Sequence, residues 1–275
     1  MNTKVIINYS KLKPSLFVLP LCCLIAIILY LYIQNSLFVH GYIQIQKNCF
    51  FFLNSKLSQF PTTVYNLTQI GDELIFLSFI TLFIVYAPEV WAALLTATLV
   101  SAIFSALLKQ IFAVPRPAAV LDINSFVIIG RTLSGNNSLP SGHSITVFTI
   151  LTVLLFAFMP YKLTYKTLWA FIVIILGFIL AFTRVAVGAH YPLDVVIGSI
   201  IGYLSGLAGI FISRQYKIWS WIHVKKYYPI FILLLLAGCI AIINKILNEN
   251  LIIFYCALTS LVVSLYKITS VYVKK

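Results

Sequence analysis

From Ser15 to Ile33 the chain runs for nineteen residues, SLFVLPLCCLIAIILYLYI, without a charged side chain. About 20 apolar residues in a helix match the roughly 30 Å hydrocarbon core of a bilayer. Inside that core every backbone amide must find its partner within the segment, so a run of this kind crosses as an α-helix. Seven more apolar stretches follow, near 73–86, 90–113, 143–159, 167–187, 195–212, 228–243 and 251–268. The stretch at 73–86 is short and needs residues beyond its ends to complete a crossing. Of the 275 residues 61% are hydrophobic and 9% charged, with a mean hydropathy of +1.03. Soluble domains run at roughly 45–50% apolar and 25% charged. The sequence therefore predicts an all-α, polytopic transmembrane helix bundle of about eight spans.

The formal charge of +13 is spread between the spans rather than gathered on one soluble face, which argues against a nucleic-acid partner. It sets orientation instead. With the N-terminus inside, the inner segments carry Lys4, Lys11, Lys13, Lys162, Lys166, Arg214, Lys217, Lys225, Lys226, Lys267, Lys274 and Lys275, twelve of the nineteen Lys and Arg residues. Lys47, Lys56, Lys109, Arg116, Arg131, Arg184 and Lys245 fall on or near the outer side. The positive-inside bias thus places both termini in the cytoplasm. The first span exceeds the apolar core of a signal peptide and lacks a small-x-small cleavage site, so it reads as a retained signal anchor.

Five cysteines show no CxxC spacing and read as apolar packing residues. Three sections are expected. Residues 1–70 hold the anchor and an outer segment whose CFFFL patch suits either an interfacial helix or a loop packed on the bundle. Residues 71–213 hold nearly all the unusual polar groups. Residues 214–275 hold a basic linker, RQYKIWSWIHVKK, and a helical hairpin.

The polar groups of the central section form three clusters. In KQIFAVPRP, Lys109 and Arg116 stand two helical turns apart on one face, and Pro115 and Pro117 end the helix. Charge inside a span is costly and points to function, although Lys109 snorkelling to the interface and Arg116 as a loop cation is the plain alternative. In SLPSGHSITVFT, Ser141 suits a helix N-cap, and the amides behind it suit an anion that Gly142 lets approach. His143 would stand beside that anion, or would simply be a surface histidine in a helix-starting loop. In TRVAVGAHYPLD, Arg184 ends one span while His190 and Asp194 bracket the start of the next, with Pro192 in its first turn. An Asp one turn beyond a His can hold one imidazole nitrogen and leave the other as a nucleophile; ordinary capping explains the same pair.

Counting spans separates these readings, because all three clusters fall on the outer rim. Cations and helix-start amides suit phosphoryl oxygens, and phosphoryl transfer is mostly positioning and charge stabilisation. One histidine can attack phosphorus while the other protonates the leaving oxygen. The six acids, Asp72, Glu73, Glu89, Asp122, Asp194 and Glu249, are scattered, so the reaction is expected to need no metal and no other cofactor.

These residues resemble the type-2 phosphatidic acid phosphatases, relatives of the vanadium haloperoxidases and bacterial acid phosphatases. That family's signature reads KxxxxxxRP, PSGH and SRxxxxxHxxxD, matched here by Lys109, Arg116 and Pro117; by Pro140, Ser141, Gly142 and His143; and by Arg184, His190 and Asp194. Thr183 stands where the family usually has Ser and keeps the hydroxyl. The resemblance implies a six-helix phosphatase core, to which this chain adds the C-terminal hairpin. It implies His190 as the nucleophile forming a phosphohistidine, Asp194 holding it, and His143 as general acid. Lys109, Arg116, Ser141, Gly142 and Arg184 would bind the phosphoryl group.

The expected activity is a lipid phosphatase of a bacterial inner membrane, its site facing outward and its substrate a phosphorylated lipid drawn from the bilayer. Undecaprenyl diphosphate, phosphatidylglycerophosphate, phosphatidic acid and lipid A phosphates are the candidates. A phosphotransferase using the same phosphohistidine is the alternative. A transporter would place its charges near the midplane rather than in one rim, and a silent binding protein would be expected to lose His190 or His143.

Overall fold

The computed structural model describes residues 1–273, the side chain of His223 excepted; Lys274 and Lys275, two of the cations assigned to the inner side, lie outside the described residues. The helices are α1 (Asn2–Ser10), α2 (Val18–Ile33), α3 (Val39–Leu57), α4 (Pro61–Gln69), α5 (Glu73–Ile80), α6 (Phe83–Tyr86), α7 (Pro88–Phe112), α8 (Pro117–Val120), α9 (Gly142–Ala157), α10 (Leu163–Ala186), α11 (Pro192–Tyr216), α12 (Tyr228–Asn248) and α13 (Ile252–Val273). Short 3-10 turns link some of them, and no strand occurs among the described residues. Among the described residues six helical segments are long and apolar enough to cross a membrane, and α9 is a shorter apolar helix. The fold is an all-helical membrane bundle.

Its centre is α9, packed between α7, α10 and α11. Val147, Ile150 and Val153 are fully enclosed. The sequence places a glycine every fourth residue on α11, at 198, 202 and 206, and this face presses on α9. A Cβ at Gly198 would come 2.7 Å from the Ser141 carbonyl oxygen, and one at Gly206 2.8 Å from that of Thr149; at Gly202 it would collide with the Ile145 carbonyl. Small residues let helix backbones approach where no hydrophobic drive separates protein from lipid. On the far side of the bundle α10 exposes Phe171, Ile172, Ile175 and Ile179, a stripe that lipid tails would cover.

The 73–86 stretch, expected as one short span, is broken into α5 and α6. Ser78 donates its hydroxyl to the Leu74 carbonyl and Thr81 to that of Ser78, while the Trp91 indole takes the Ile80 carbonyl at 3.1 Å. Side-chain donors thus replace the helical ones at the break.

The 34–70 segment combines the two forms expected for it, since it is helical and packed on the bundle. Within CFFFL, Phe50 is enclosed against Phe126 and Tyr191 while Phe52 faces outward. Helix α3 lies across the end of the bundle, because its Tyr42 reaches the start of α11 while its Asn54 reaches the end of α10. At the opposite end α1 is pinned by Asn8 to the Ala157 and Met159 carbonyls, and by the Tyr9 carbonyl to Arg214.

The C-terminal hairpin does not stand apart from the rest. Helices α12 and α13 pack on each other and on α5, sharing a buried cluster with Ile75, Ile84 and Trp91. The basic linker before them is tied to α7 by Trp219, whose indole donates to the Thr96 hydroxyl.

Candidate active site

The turn from α10 to α11 places His190. The Arg184 carbonyl accepts from the amides of both Ala189 and His190, at 3.0 and 3.2 Å, closing the end of α10. Gly188 holds a left-handed φ of +75°, which side chains other than glycine's resist, and it packs against Phe126. Pro192 then starts α11. His190, 1% exposed, is thus held between two helix ends.

Asp194, wholly enclosed, accepts three hydrogen bonds: from the Ser138 hydroxyl at 2.5 Å, the Tyr42 hydroxyl at 2.7 Å and the Tyr191 amide at 3.0 Å. His190 Nδ1 lies 3.6 Å from Asp194 Oδ2 and 3.4 Å from Ser138 Oγ. The expected His–Asp pair is therefore present as a close contact between a neutral imidazole and the carboxylate, with Ser138 set beside it. Ser138 stands within SLPSGH, two residues before Pro140, but sequence reasoning gave it no role. Tyr42 comes from α3, 152 residues from Asp194, and no local pattern could have found it.

The three expected cations converge on His190. Arg116 is 9% exposed, donates to Asn137 at 2.7 Å and reaches the Ala189 carbonyl at 3.4 Å. Arg184, 7% exposed, donates to the Thr68 hydroxyl at 3.0 Å, while its Nε is buried without a partner among the described residues. The ammonium of Lys109 lies beside Gly142, 3.1 Å from where a Cβ would stand. Burial, followed by the positive charges of Arg116, Arg184 and Lys109, holds the His190 imidazole well below its ordinary range, so the ring is neutral at pH 7.

His143 belongs to the first turn of α9, which Ser141 caps as expected. The Ser141 oxygen accepts from the Ser144 hydroxyl at 3.0 Å and from the Ser144 amide. Those are both acceptor roles, so the Ser141 hydrogen stays available to donate. Gly71 packs on the His143 ring so closely that a Cβ there would lie 2.8 Å from its Cβ and Cδ2. The same three cations and His190 bear electrostatically on His143. The Thr183 hydroxyl is spent on the Leu180 carbonyl and does not enter the site.

A cavity of about 440 Å³ opens beside His143 and Arg184, lined also by Ala189, by side chains of α4, whose Thr68 meets Arg184, and by the end of α12. A second opening, between α5, α7 and α9, also reaches Gly142 and His143. No group of three or more His, Cys, Asp or Glu residues suited to a metal occurs among the described residues.

The PAP2 superfamily model matches residues 90–219, the stretch from α7 to the end of α11 that carries Lys109, Arg116, His143, Arg184, His190 and Asp194. Over those residues, just under half of the chain, the sequence is similar to the PAP2 superfamily. It is 39% identical over 72 residues to the bacitracin transport permease protein BcrC of Bacillus licheniformis, a match that covers 26% of this chain and 32% of that protein. It is 32% identical over 135 residues to a lipid A 1-phosphatase of Rhizobium etli, 47% of this chain and 53% of that one. Among solved structures, Aquifex aeolicus LpxE matches with a TM-score of 0.51 and 27% identity, over 61% of this chain and 95% of that chain. The chain thus spans between a third and about half the length of the curated relatives it matches. Tyr42, Thr68, Gly71 and the C-terminal hairpin, all in contact with the site or its cavity, lie outside the matched residues.

Proposed function

We propose that this chain is a PAP2-superfamily member and a metal-independent membrane lipid phosphatase that works through a phosphohistidine on His190. The observation that carries the reading is a neutral, buried histidine facing three cations, one of which, Arg184, keeps a buried Nε without a partner. A phosphoryl group supplies what that arrangement lacks, oxygens for the cations and an electrophile for the imidazole. The lipid A 1-phosphatase among the relatives favours a phosphorylated lipid as substrate.

The Nε2 lone pair of His190 attacks phosphorus while Lys109, Arg116, Arg184, Ser141 and the Gly142 amide hold the phosphoryl oxygens. The bond from phosphorus to the lipid oxygen breaks, and that oxygen takes both the electron pair and a proton from His143, whose protonated form the negative charge of the bound phosphoryl group favours. Water then attacks the phosphohistidine, gives its proton to His143 and releases phosphate as the P–N bond returns its electrons to Nε2. Asp194, held by Ser138, Tyr42 and the Tyr191 amide, orients His190 and stabilises its positive charge in the intermediate.

In this reading residues 71–213 form the catalytic core, preceded by the anchor section 1–70 and followed by the hairpin section 214–275. Lys4 and Lys11 lie over Tyr161 at the end of the bundle opposite the site. Those cations favour that end as cytoplasmic, with the site on the outer face of a bacterial inner membrane and both termini inside. Undecaprenyl diphosphate, phosphatidylglycerophosphate, phosphatidic acid and lipid A phosphates are the lipids to test.

The test is inorganic phosphate release by detergent-purified protein across that panel. His190→Ala should abolish release from every substrate, and turnover retained by the variant would remove His190 as nucleophile. Release without an added acceptor separates a hydrolase from a phosphotransferase.

A further inference from the structure

The cavity over His143 and Arg184 is much larger than the phosphoryl chemistry needs. Its volume of about 440 Å³ is that of about fifteen waters, at the ~30 Å³ each occupies in the liquid. Besides His143 and Arg184 it is walled by α4 and, at its outer end, by Lys245 and Asn248 of the last turns of α12 and by Glu249, which follows that helix. The hairpin is fastened there. Lys245 pairs with Asp72 at 3.1 Å, and the Tyr65 hydroxyl donates to Glu249 at 2.6 Å. Asn66 accepts from the Ile253 amide at the start of α13.

The charge at this outer end decides what it suits. Arg184 also lines the cavity and is taken up by the phosphoryl group; the two remaining cations, Arg131 and Lys245, match two carboxylates, Asp72 and Glu249, so what is left is balanced rather than positive. Lys245 already spends its charge on Asp72. A second phosphate would find no net attraction there and would meet Glu249. Hydroxyl groups fit better: carboxylates accept from them, and Gln69, Asn248 and Arg131 have side chains with no hydrogen-bond or ion-pair partner among the described residues. His143 lines the same cavity, so a leaving group whose oxygen meets His143 continues into this end.

We propose that the outer end of the cavity is a headgroup subsite, built by the C-terminal hairpin, that takes the hydroxyl-rich sugar or polyol part of a phosphorylated lipid, with Asn248 and Glu249 as specificity-determining residues. The proposal rests on the phosphatase reading above and adds to it the class of leaving group. Burial and the Glu249 carboxylate push the Tyr65 phenol up to about 12, so it remains a donor and keeps Glu249 in place at neutral pH.

The test compares kcat/KM on a glycolipid 1-phosphate with free ring hydroxyls, on undecaprenyl diphosphate, on phosphatidic acid and on an aryl phosphate. Wild-type protein should favour the glycolipid over the other lipids by about tenfold or more. Asn248→Ala and Glu249→Gln should each lower the glycolipid-to-aryl ratio about tenfold, through KM rather than kcat. A wild-type preference for the diphosphate lipid, or an unchanged ratio in both variants, would overturn the subsite. So would a parallel loss on all substrates, which marks a structural role. A protein that releases no phosphate from the aryl substrate above the His190→Ala blank instead refutes the phosphatase reading. Binding of the glycolipid phosphate to His190→Ala protein, with and without Asn248→Ala, then reads the subsite independently: weaker binding with the second change supports it, and equal binding overturns it.

Discussion

The hydroxyl of Tyr42 is a sharp test of how the site is held together. Tyr42 is 4% exposed, and its hydroxyl is the only donor among the described residues to Oδ1 of the enclosed Asp194, at 2.7 Å. Tyr42→Phe keeps the ring and its packing and removes only that bond. A buried carboxylate that loses a donor forfeits about 1.5–3 kcal/mol. If the whole amount is felt when His190 becomes positively charged, turnover falls roughly ten- to a hundredfold, at about 1.4 kcal/mol per factor of ten. KM should hardly change, since Tyr42 does not line the cavity over His143. Tyr191 supplies the control. It too is enclosed, but its hydroxyl has no partner among the described residues, so Tyr191→Phe removes an unsatisfied group and should leave stability unchanged or raised. Both variants would be followed by aryl phosphate turnover and by thermal unfolding in detergent. Wild-type turnover and stability in Tyr42→Phe, or equal losses in the two variants, would refute a carboxylate held by Tyr42.

Three further outcomes are expected. Because burial and three cations hold His190 well below the ordinary histidine value of 6.5, its neutral, nucleophilic form persists as pH falls through that value. The acid limb of kcat/KM, corrected for the substrate's own ionisation, should therefore lie below pH 6.5, and a limb at or above it would contradict a neutral buried nucleophile. His143→Ala should slow lipid phosphates, with their poor leaving oxygens, far more than an activated aryl phosphate; equal slowing argues against proton donation. Gly202→Ala, which sets a methyl against the Ile145 carbonyl, should cost about 1–3 kcal/mol of bundle stability, read as a lowered midpoint of thermal unfolding, and an unshifted midpoint would mean that α9 and α11 can part without cost.

Much of the site could be read from the chain because its chemistry is locally encoded. Lys109 and Arg116, the PSGH stretch and the Arg184 to Asp194 stretch each sit at a helix end, where proline, glycine and capping serine announce the boundary. The helix-period glycines of α11 were equally present in the sequence, but only the packing on α9 gives them meaning. The break between α5 and α6 was hidden, because it depends on hydroxyls bonding back to carbonyls and on Trp91 arriving from the next helix.

By itself, then, the sequence determined the medium, most of the helices and which cations and histidines gather at the candidate site, since hydrophobic length and helix-end chemistry are properties of short stretches. The tertiary structure alone decided what surrounds them. Tyr42 and Ser138 meet on one carboxylate from positions 42, 138 and 194, Thr68 meets Arg184, and α12 comes back to wall the cavity. Contacts of that kind join residues far apart in the chain through the packing of whole helices, and no spacing within a segment records them.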